Sequence, residues 1–437
     1  MNRSLDAIFR PRSIAVIGAS RRPGSIGSEI LAKILEAGFE GAVYPVNPHA
    51  PYLHSMKCYP SVRTIPDPVD LAMIVVPRDH VMEVVEECRR KKVRGLVVIT
   101  AGFREVGEEG ARLEAALRKK VRGAGMRMIG PNCMGVINTD PNVRLNATFA
   151  ATAPTRGRAG FMSQSGALGE IILANARHIS LGISMFASVG NKADISGNDL
   201  IEYWENDSSI GVILMYLESF GNPRKFTTIA QRVTRKKPII AVKSGRTEAG
   251  ARAAFSHTGS LAGGDVATST LFEQCGVLRV NTIEEMFTLA TAFTSQPLPR
   301  GNRVAILTNA GGPAIMATDA AVNLGLTLAP LEERTRRGLK QHLPPECSLG
   351  NPVDLIASAD ATRYAVGLRA LLADATVDGL MVLFVTPTMI NSLEVAKTIV
   401  RLSRRSKKPL MTCFMGKDRG AEGVQTLRHH SIPVYSF

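Results

Sequence analysis

Aromatic residues are scarce in this chain, long apolar runs and C-x-x-C pairs are missing, and each shortage excludes a class of protein. Phe, Trp and Tyr make up 5% of the 437 residues and are not interleaved with the basic clusters, so the stacking platform of a nucleic-acid binder is not expected. No window approaches the roughly 18 consecutive apolar residues of a membrane-spanning helix. The opening Met1-Asn2-Arg3-Ser4-Leu5-Asp6 has no apolar centre of a signal peptide. Neither nucleic acid nor membrane is therefore expected as a partner. The six cysteines, Cys58, Cys88, Cys133, Cys275, Cys347 and Cys413, show no C-x-x-C spacing. That argues against a disulfide framework and a zinc site, and for a reducing cytoplasm. There is no glycine-lysine P-loop and no cluster with metal-ligand spacing, so no metal ligand is expected in this chain.

What is present is positive charge, glycine and an alternation of strand and helix. The net charge of +15 favours anionic partners such as phosphorylated small molecules. The basic runs at 89–92, 235–237 and 404–408 fall where helices are expected to end. There cations complement the helix C-terminus, which makes them solvated structural charges. Apolar runs at 13–17, 42–46, 71–76 and 95–100 read as buried parallel strands, with helices over 28–37 and 79–91 between them. Further strands are expected at 159–162, 210–217, 238–242, 303–308, 379–384, 409–414 and 432–437. The fold class is α/β, with doubly wound sheets whose ligands sit at the strand C-termini. About three domains fit the length, with boundaries in the segments 140–158 and 294–299.

Three glycine-rich turns lie between a strand and a helix. The first, 18–27, is not a dinucleotide fingerprint: Ser20 occupies the place of the second glycine, and the next strand ends Val46-Asn47-Pro48-His49 without a carboxylate for the ribose. A phosphate-bearing ligand other than NAD fits this turn, aided by the helix N-terminus and by Arg21 and Arg22. The second, Ser163-Gln164-Ser165-Gly166, opens the next helix, and the third is Asn309-Ala310-Gly311-Gly312. The strand at 210–217 delivers Glu218 to a strand C-terminus. The strand at 238–242 runs into a long loop of small residues with His257 at its centre. An imidazole there can act as a nucleophile or proton carrier, and a carboxylate can orient it.

These motifs occur together in an order that resembles a known family. The turn at 18–27, Ile129-Gly130-Pro131-Asn132-Cys133-Met134-Gly135, Ser163-Gln164-Ser165-Gly166, Tyr216-Leu217-Glu218 and Ser256-His257-Thr258-Gly259 are similar to those of nucleoside-diphosphate-forming acyl-CoA synthetases, relatives of succinyl-CoA synthetase. The resemblance covers essentially the whole chain. It is greatest to the α subunit, or N-terminal half of a fused chain, of the ADP-forming acetyl-CoA synthetase group. It implies a Rossmann-like CoA-binding domain (1–140) followed by two flavodoxin-like domains, a succinyl-CoA synthetase-like domain with a phosphohistidine loop (141–296) and a CoA-ligase domain (297–437).

The resemblance also implies roles. CoA would lie across the first domain, with Gly18, Ala19, Ser20, Arg21, Gly24, Ser25 and Gly27 around its phosphates. Asn47, Pro48, Pro77, Thr100, Ala101, Gly102 and Asn132 would complete its site. Phosphate would attack the acyl-CoA thioester to give an acyl phosphate, and His257, assisted by Glu218, would take the phosphoryl group and carry it to ADP. Ser163, Gln164, Ser165 and Gly166, with Asn309, Gly311 and Gly312, would bind phosphate and flank phospho-His257 with helix N-termini. ADP or ATP with Mg2+ would bind on an ATP-grasp partner, a β subunit or a fused domain, in an oligomer. Glu170 stands where succinyl-specific relatives carry Tyr, which favours acetate or another small acid, and His49 stands where relatives often carry Lys. The rival readings are a non-catalytic CoA- or acyl-CoA-sensing region of a protein acetyltransferase-type fusion, and an acyl or carbamoyl transferase without phosphohistidine. The pairing of His257 with Glu218 favours the synthetase.

Overall fold

Strands that are apolar at every position must be covered on both faces, and here helices cover them. The computed structural model of the chain describes residues 5–250, 252, 264–404, 406–416 and 420–436. They fall into two compact units, Met1–Ala290 and Thr291–Phe437.

The first unit holds two large sheets. One has five parallel strands in the order β2-β1-β5-β6-β7. These are β1 (Ser13–Ile17), β2 (Ala42–Val46), β5 (Leu71–Ile74), β6 (Gly95–Val98) and β7 (Arg127–Ile129). A small hairpin, β3 (Tyr52–Leu53) with β4 (Met56–Lys57), lies in the connection from β2 to β5. The other sheet has seven strands in the order β14-β13-β12-β10-β11-β8-β9. Its strands are β8 (Gly135–Asn138), β9 (Leu145–Thr148), β10 (Arg156–Ser163), β11 (Ile183–Ser188), β12 (Val212–Leu217), β13 (Ile239–Lys243) and β14 (Leu278–Val280). All pair in parallel except β8 and β9, which form an antiparallel hairpin on β11.

That hairpin and β11 were not expected from the sequence. The segment 140–158 reads as a connection, yet it contains β9, whose Asn146 and Thr148 are buried. Thr148 Oγ1 donates to Asn146 Oδ1 at 2.7 Å, so these polar strand residues satisfy each other inside. The two sheets share one apolar core. The short helix Asp6–Phe9 joins them: Phe9 stacks on Tyr203 and meets Trp204 edge-on, and Arg10 pairs with Asp140 at 2.9 Å and Asp207 at 3.0 Å.

The second unit carries one sheet in the order β16-β15-β18-β19-β20, with β17 also on β15. Its strands are β15 (Arg303–Thr308), β16 (Thr327–Leu328), β17 (Val353–Asp354), β18 (Gly379–Val385), β19 (Leu410–Met415) and β20 (Val434–Tyr435). A separate core around Tyr364, Phe384 and Phe414 fills it.

β8, β9 and β17 aside, the parallel strands of every sheet are ordered second, first, third, fourth, fifth. In such sheets connections from the first and third strands leave toward opposite faces, opening a crevice at their C-terminal ends. The three glycine-rich turns follow β1, β10 and β15, which are the first strands of the three sheets.

Candidate active site between the first two sheets

The first turn is shaped by contact. Gly18 has φ +93°, and a Cβ there would lie 2.3 Å from the Val75 carbonyl oxygen; one on Gly27 would lie 2.1 Å from that of Gly18. Only glycine lets the helix Ile26–Glu36 start this close to β1. Its N-cap Ser25 makes no side-chain hydrogen bond to the helix, leaving the first-turn N–H groups without that partner. Asn47 braces the turn by donating to Ala19 O at 2.8 Å. Arg21 is turned onto the small hairpin, where it donates to Tyr52 O at 2.9 and 3.1 Å.

The second turn is held by its own side chains. Ser163 Oγ donates to Ser165 O at 2.6 Å, and Ser165 Oγ caps the helix Gly166–His178 by accepting from Leu168 N at 3.3 Å. Gln164 reaches across to the turn after β12. Its Oε1 accepts from Glu218 N at 2.8 Å and Ser219 N at 2.9 Å, and its Nε2 donates to Ser219 O at 2.7 Å.

Both helix starts and Glu218 open on one cleft of about 1020 Å³. Of the residues singled out by sequence, Gly18, Ser20, Ser25, Gly27, Pro77, Thr100, Ala101, Asn132, Gln164, Ser165, Gly166 and Glu218 line it. Ala19, Arg21, Gly24, Asn47, Pro48, Gly102 and Ser163 are not part of the lining. Asn47 and Ser163 support it from behind through the hydrogen bonds above. Gly102 N donates to Glu105 Oε1 at 2.6 Å, and Thr100 Oγ1 to Val76 O at 2.7 Å. His257 and its flanking residues lie outside the described residues. Asn309, Gly311 and Gly312 belong to the second unit. There Asn309 ties β15 to β18, donating to Val385 O and accepting from Val385 N, both at 2.9 Å, just before the helix Gly311–Asn323.

Several lining residues were not expected. Asn191 donates to Glu105 Oε2 at 2.6 Å and Glu114 Oε2 at 2.8 Å. Burial acts against the charge on Glu105, but Asn191 and the backbone N–H groups of Gly102 and Phe103 hold its carboxyl below the ordinary range; burial pushes that of Glu114 up. Behind Glu218, Lys192 Nζ donates to Ser219 O at 2.6 Å and to Ser219 Oγ. Burial brings this ammonium down to about 8, against the attraction of Glu218. Met134, Phe149 and Ile26 add apolar surface, and Glu170, which also lines the cleft, accepts from Ala151 N at 3.1 Å. The signal for Asn191 and Lys192 was available: Gly190-Asn191-Lys192 stands just past a strand C-terminus, but that strand, β11, was itself missed.

Chemically, the cleft offers anion sites at two helix N-termini, apolar surface beside them and a buried carboxylate able to orient a base. Cys133 also lines it but is not a nucleophile. Burial pushes its thiol up to about 12, and its Sγ donates to Val98 O at 3.2 Å. Among the described residues no group of three or more His, Cys, Asp or Glu side chains could hold a metal ion, and no helix is long and apolar enough to cross a membrane.

Comparison with known proteins gives this architecture its family. Family models match in three stretches: a CoA binding domain over 12–139, a succinyl-CoA ligase like flavodoxin domain over 156–293 and a ligase-CoA domain over 304–437. The chain is 46% identical to the acetate–CoA ligase [ADP-forming] II subunit alpha of Pyrococcus furiosus, over 99% of its own length and 94% of the relative's. It is 38% identical to the 4-hydroxybutyrate–CoA ligase [ADP-forming] of Nitrosopumilus maritimus, over 98% of its length but 62% of that longer protein. A solved structure of a dinucleotide forming acetyl-coenzyme A synthetase 1 of Ca. Korarchaeum cryptofilum, in complex with phosphate and ADP, superposes with a TM-score of 0.95. That match has 40% identity and covers 99% of this chain and 93% of that one. The chain belongs to the ADP-forming acyl-CoA synthetase family and is a ligase. The names of these relatives favour catalysis over the CoA-sensing alternative.

Proposed function

We propose that the chain is the α component of an acyl-CoA synthetase that interconverts acyl-CoA, ADP and phosphate with a carboxylic acid, CoA and ATP, the acid being acetate or another small one. The observation that supports this most is the cleft in which two helix N-termini and Glu218 converge. CoA lies with its phosphates at the turn of Gly18, Ser20, Ser25 and Gly27, and its thioester reaches toward Asn132 and Gly166. Phosphate held at the second helix start attacks the thioester carbonyl, expelling the CoA thiolate and leaving an acyl phosphate. His257 then attacks phosphorus, the P–O bond to the acyl group breaks, and the carboxylate leaves. Glu218 accepts a hydrogen bond from the other imidazole nitrogen, so that the attacking one is unprotonated. The helix N-terminus at Ser165–Gly166 stabilises phospho-His257, as suits a transfer governed by position and charge, and Asn309, Gly311 and Gly312 form a phosphate-binding turn of the second unit.

In this reading the domains are 1–140, 141–296 and 297–437, and ADP with its Mg2+ binds on an ATP-grasp partner in a larger assembly. The coverage supports that: 94% of a relative named as a subunit, but 62% of a longer one. The six buried free cysteines suit a reducing cytoplasm.

The test is phosphoryl transfer from radiolabelled acetyl phosphate. Wild type acquires acid-labile, base-stable label, His257→Ala acquires none, and Glu218→Gln slows labelling roughly 100-fold, as loss of a base-orienting group does. Equal labelling of His257→Ala and wild type would overturn the assignment.

A further inference from the structure

The turn after β12 separates the cleft from a second groove of about 1210 Å³, whose wall includes Lys192, Asn198, Phe220 and Asn222. Lys192 follows β11 and Glu218 follows β12, and these strands flank β10 on its two sides. The Lys192 ammonium therefore reaches the Glu218 turn from behind, and both of its hydrogen bonds go to Ser219, one to the carbonyl at 2.6 Å and one to the hydroxyl. From the opposite side Lys243, buried at the end of β13 and paired with Leu217 in the sheet, also attracts Glu218. The backbone at Lys192 is left-handed, φ +50°, a conformation Gly or Asn adopts with less strain. Strained residues of this kind gather where a side chain must be aimed.

We propose that Lys192 is a positioning residue for phosphoryl transfer: by clamping Ser219 it holds the neighbouring Glu218 ionised and aimed at the imidazole of His257. The proposal rests on the phosphohistidine reading above. Lys192 is not among the residues that line the cleft; its ammonium acts on the turn that carries Glu218. The charged groups acting on it are Glu218, Arg104 and Lys243. Asp194 and Asp199, in the same groove, are already paired with Arg122 and Arg127. A cation near Glu218 favours the carboxylate, so removing it raises the pH at which Glu218 ionises. Lys192 itself gives up its proton near pH 8, and the clamp loses its charge above that.

The experiment follows labelling of the full chain by acetyl phosphate across the pH range. Wild type falls off on both sides, with an alkaline limb near pH 8. Lys192→Met labels about 30-fold more slowly at neutral pH and its acid limb moves upward, the scale expected for a misplaced catalytic group. Lys192→Arg, which stays charged, recovers part of the rate and moves the alkaline limb upward. CoA affinity, measured calorimetrically, stays within about threefold in both variants, since no CoA contact changes. A Lys192→Met rate equal to wild type, or a loss with neither limb displaced, would overturn the proposal. So would an unmoved alkaline limb in Lys192→Arg, which decides the matter should Lys192→Met fail to fold. If wild type takes no label, the functional reading falls by itself. The clamp is then judged by the carbon-13 titration of the Glu218 carboxyl, which moves to higher pH in Lys192→Met and not in Lys192→Arg; an unmoved titration in Lys192→Met overturns the proposal.

Discussion

The amide of Gln164 is used entirely on the turn that carries Glu218, accepting from two backbone N–H groups and donating to one carbonyl. Gln164 is 8% exposed, so these bonds are largely shielded from water. Gln164→Leu keeps the volume and strands the three backbone groups, at about 1–3 kcal/mol for each buried group left unsatisfied. We expect a lowered denaturation midpoint, at least a tenfold loss in His257 labelling from a displaced Glu218, and unchanged CoA affinity. Calorimetry and the labelling assay on one preparation check this, and retention of full labelling would show that the turn holds without its brace. That Glu218 sits at a strand end was legible in the sequence. That Gln164 and Lys192 both converge on Ser219 was not, because these partners are 55 and 27 residues away along the chain.

At the scale of elements, the helix Ile26–Glu36 depends on glycine for its approach to β1. Gly27→Ala would drive a Cβ to 2.1 Å from the Gly18 carbonyl oxygen. That is backbone and cannot step aside, so the helix start must move. The expected cost is about 1–3 kcal/mol, as for other overpacked sites, with a severalfold or larger loss of CoA affinity. Denaturant midpoints and calorimetric titration read the two effects, and unaltered CoA binding would place the ligand away from this helix. Strands buried on both faces, such as β1 and β15, announce themselves by unbroken apolar runs. β9 does not, because half of its side chains are polar and become acceptable only through the hydrogen bond between Thr148 and Asn146.

For the whole molecule, the cleft belongs to Met1–Ala290, while the third phosphate-type turn belongs to Thr291–Phe437. Neither supplies, among the described residues, a group of carboxylates that could hold a metal with a nucleotide diphosphate. We therefore expect the purified 437-residue chain to make no ATP from acetyl-CoA, ADP, phosphate and Mg2+, and an ATP-grasp partner to restore synthesis. Coupled luminescence follows this. Sustained turnover in proportion to protein, with mass spectrometry finding no second subunit, would mean that the nucleotide binds on this chain.

By itself the sequence determined the α/β class, the three strand–turn–helix units and the residue types of the site. Apolar runs, glycine turns and the Glu218 and His257 motifs are local signals, set by burial and backbone sterics within a few residues. Only the tertiary structure decided which of these meet. The joining of the first two sheets through one core brings the turns after β1 and β10 to a single cleft. It puts Lys192 behind Glu218, buries Asn146 and Thr148 where their polarity can be satisfied, and sets half-buried Asn191 against Glu105 and Glu114. Such pairings are chosen by the packing of distant segments, because a buried polar group is stable only beside the partner that the fold delivers.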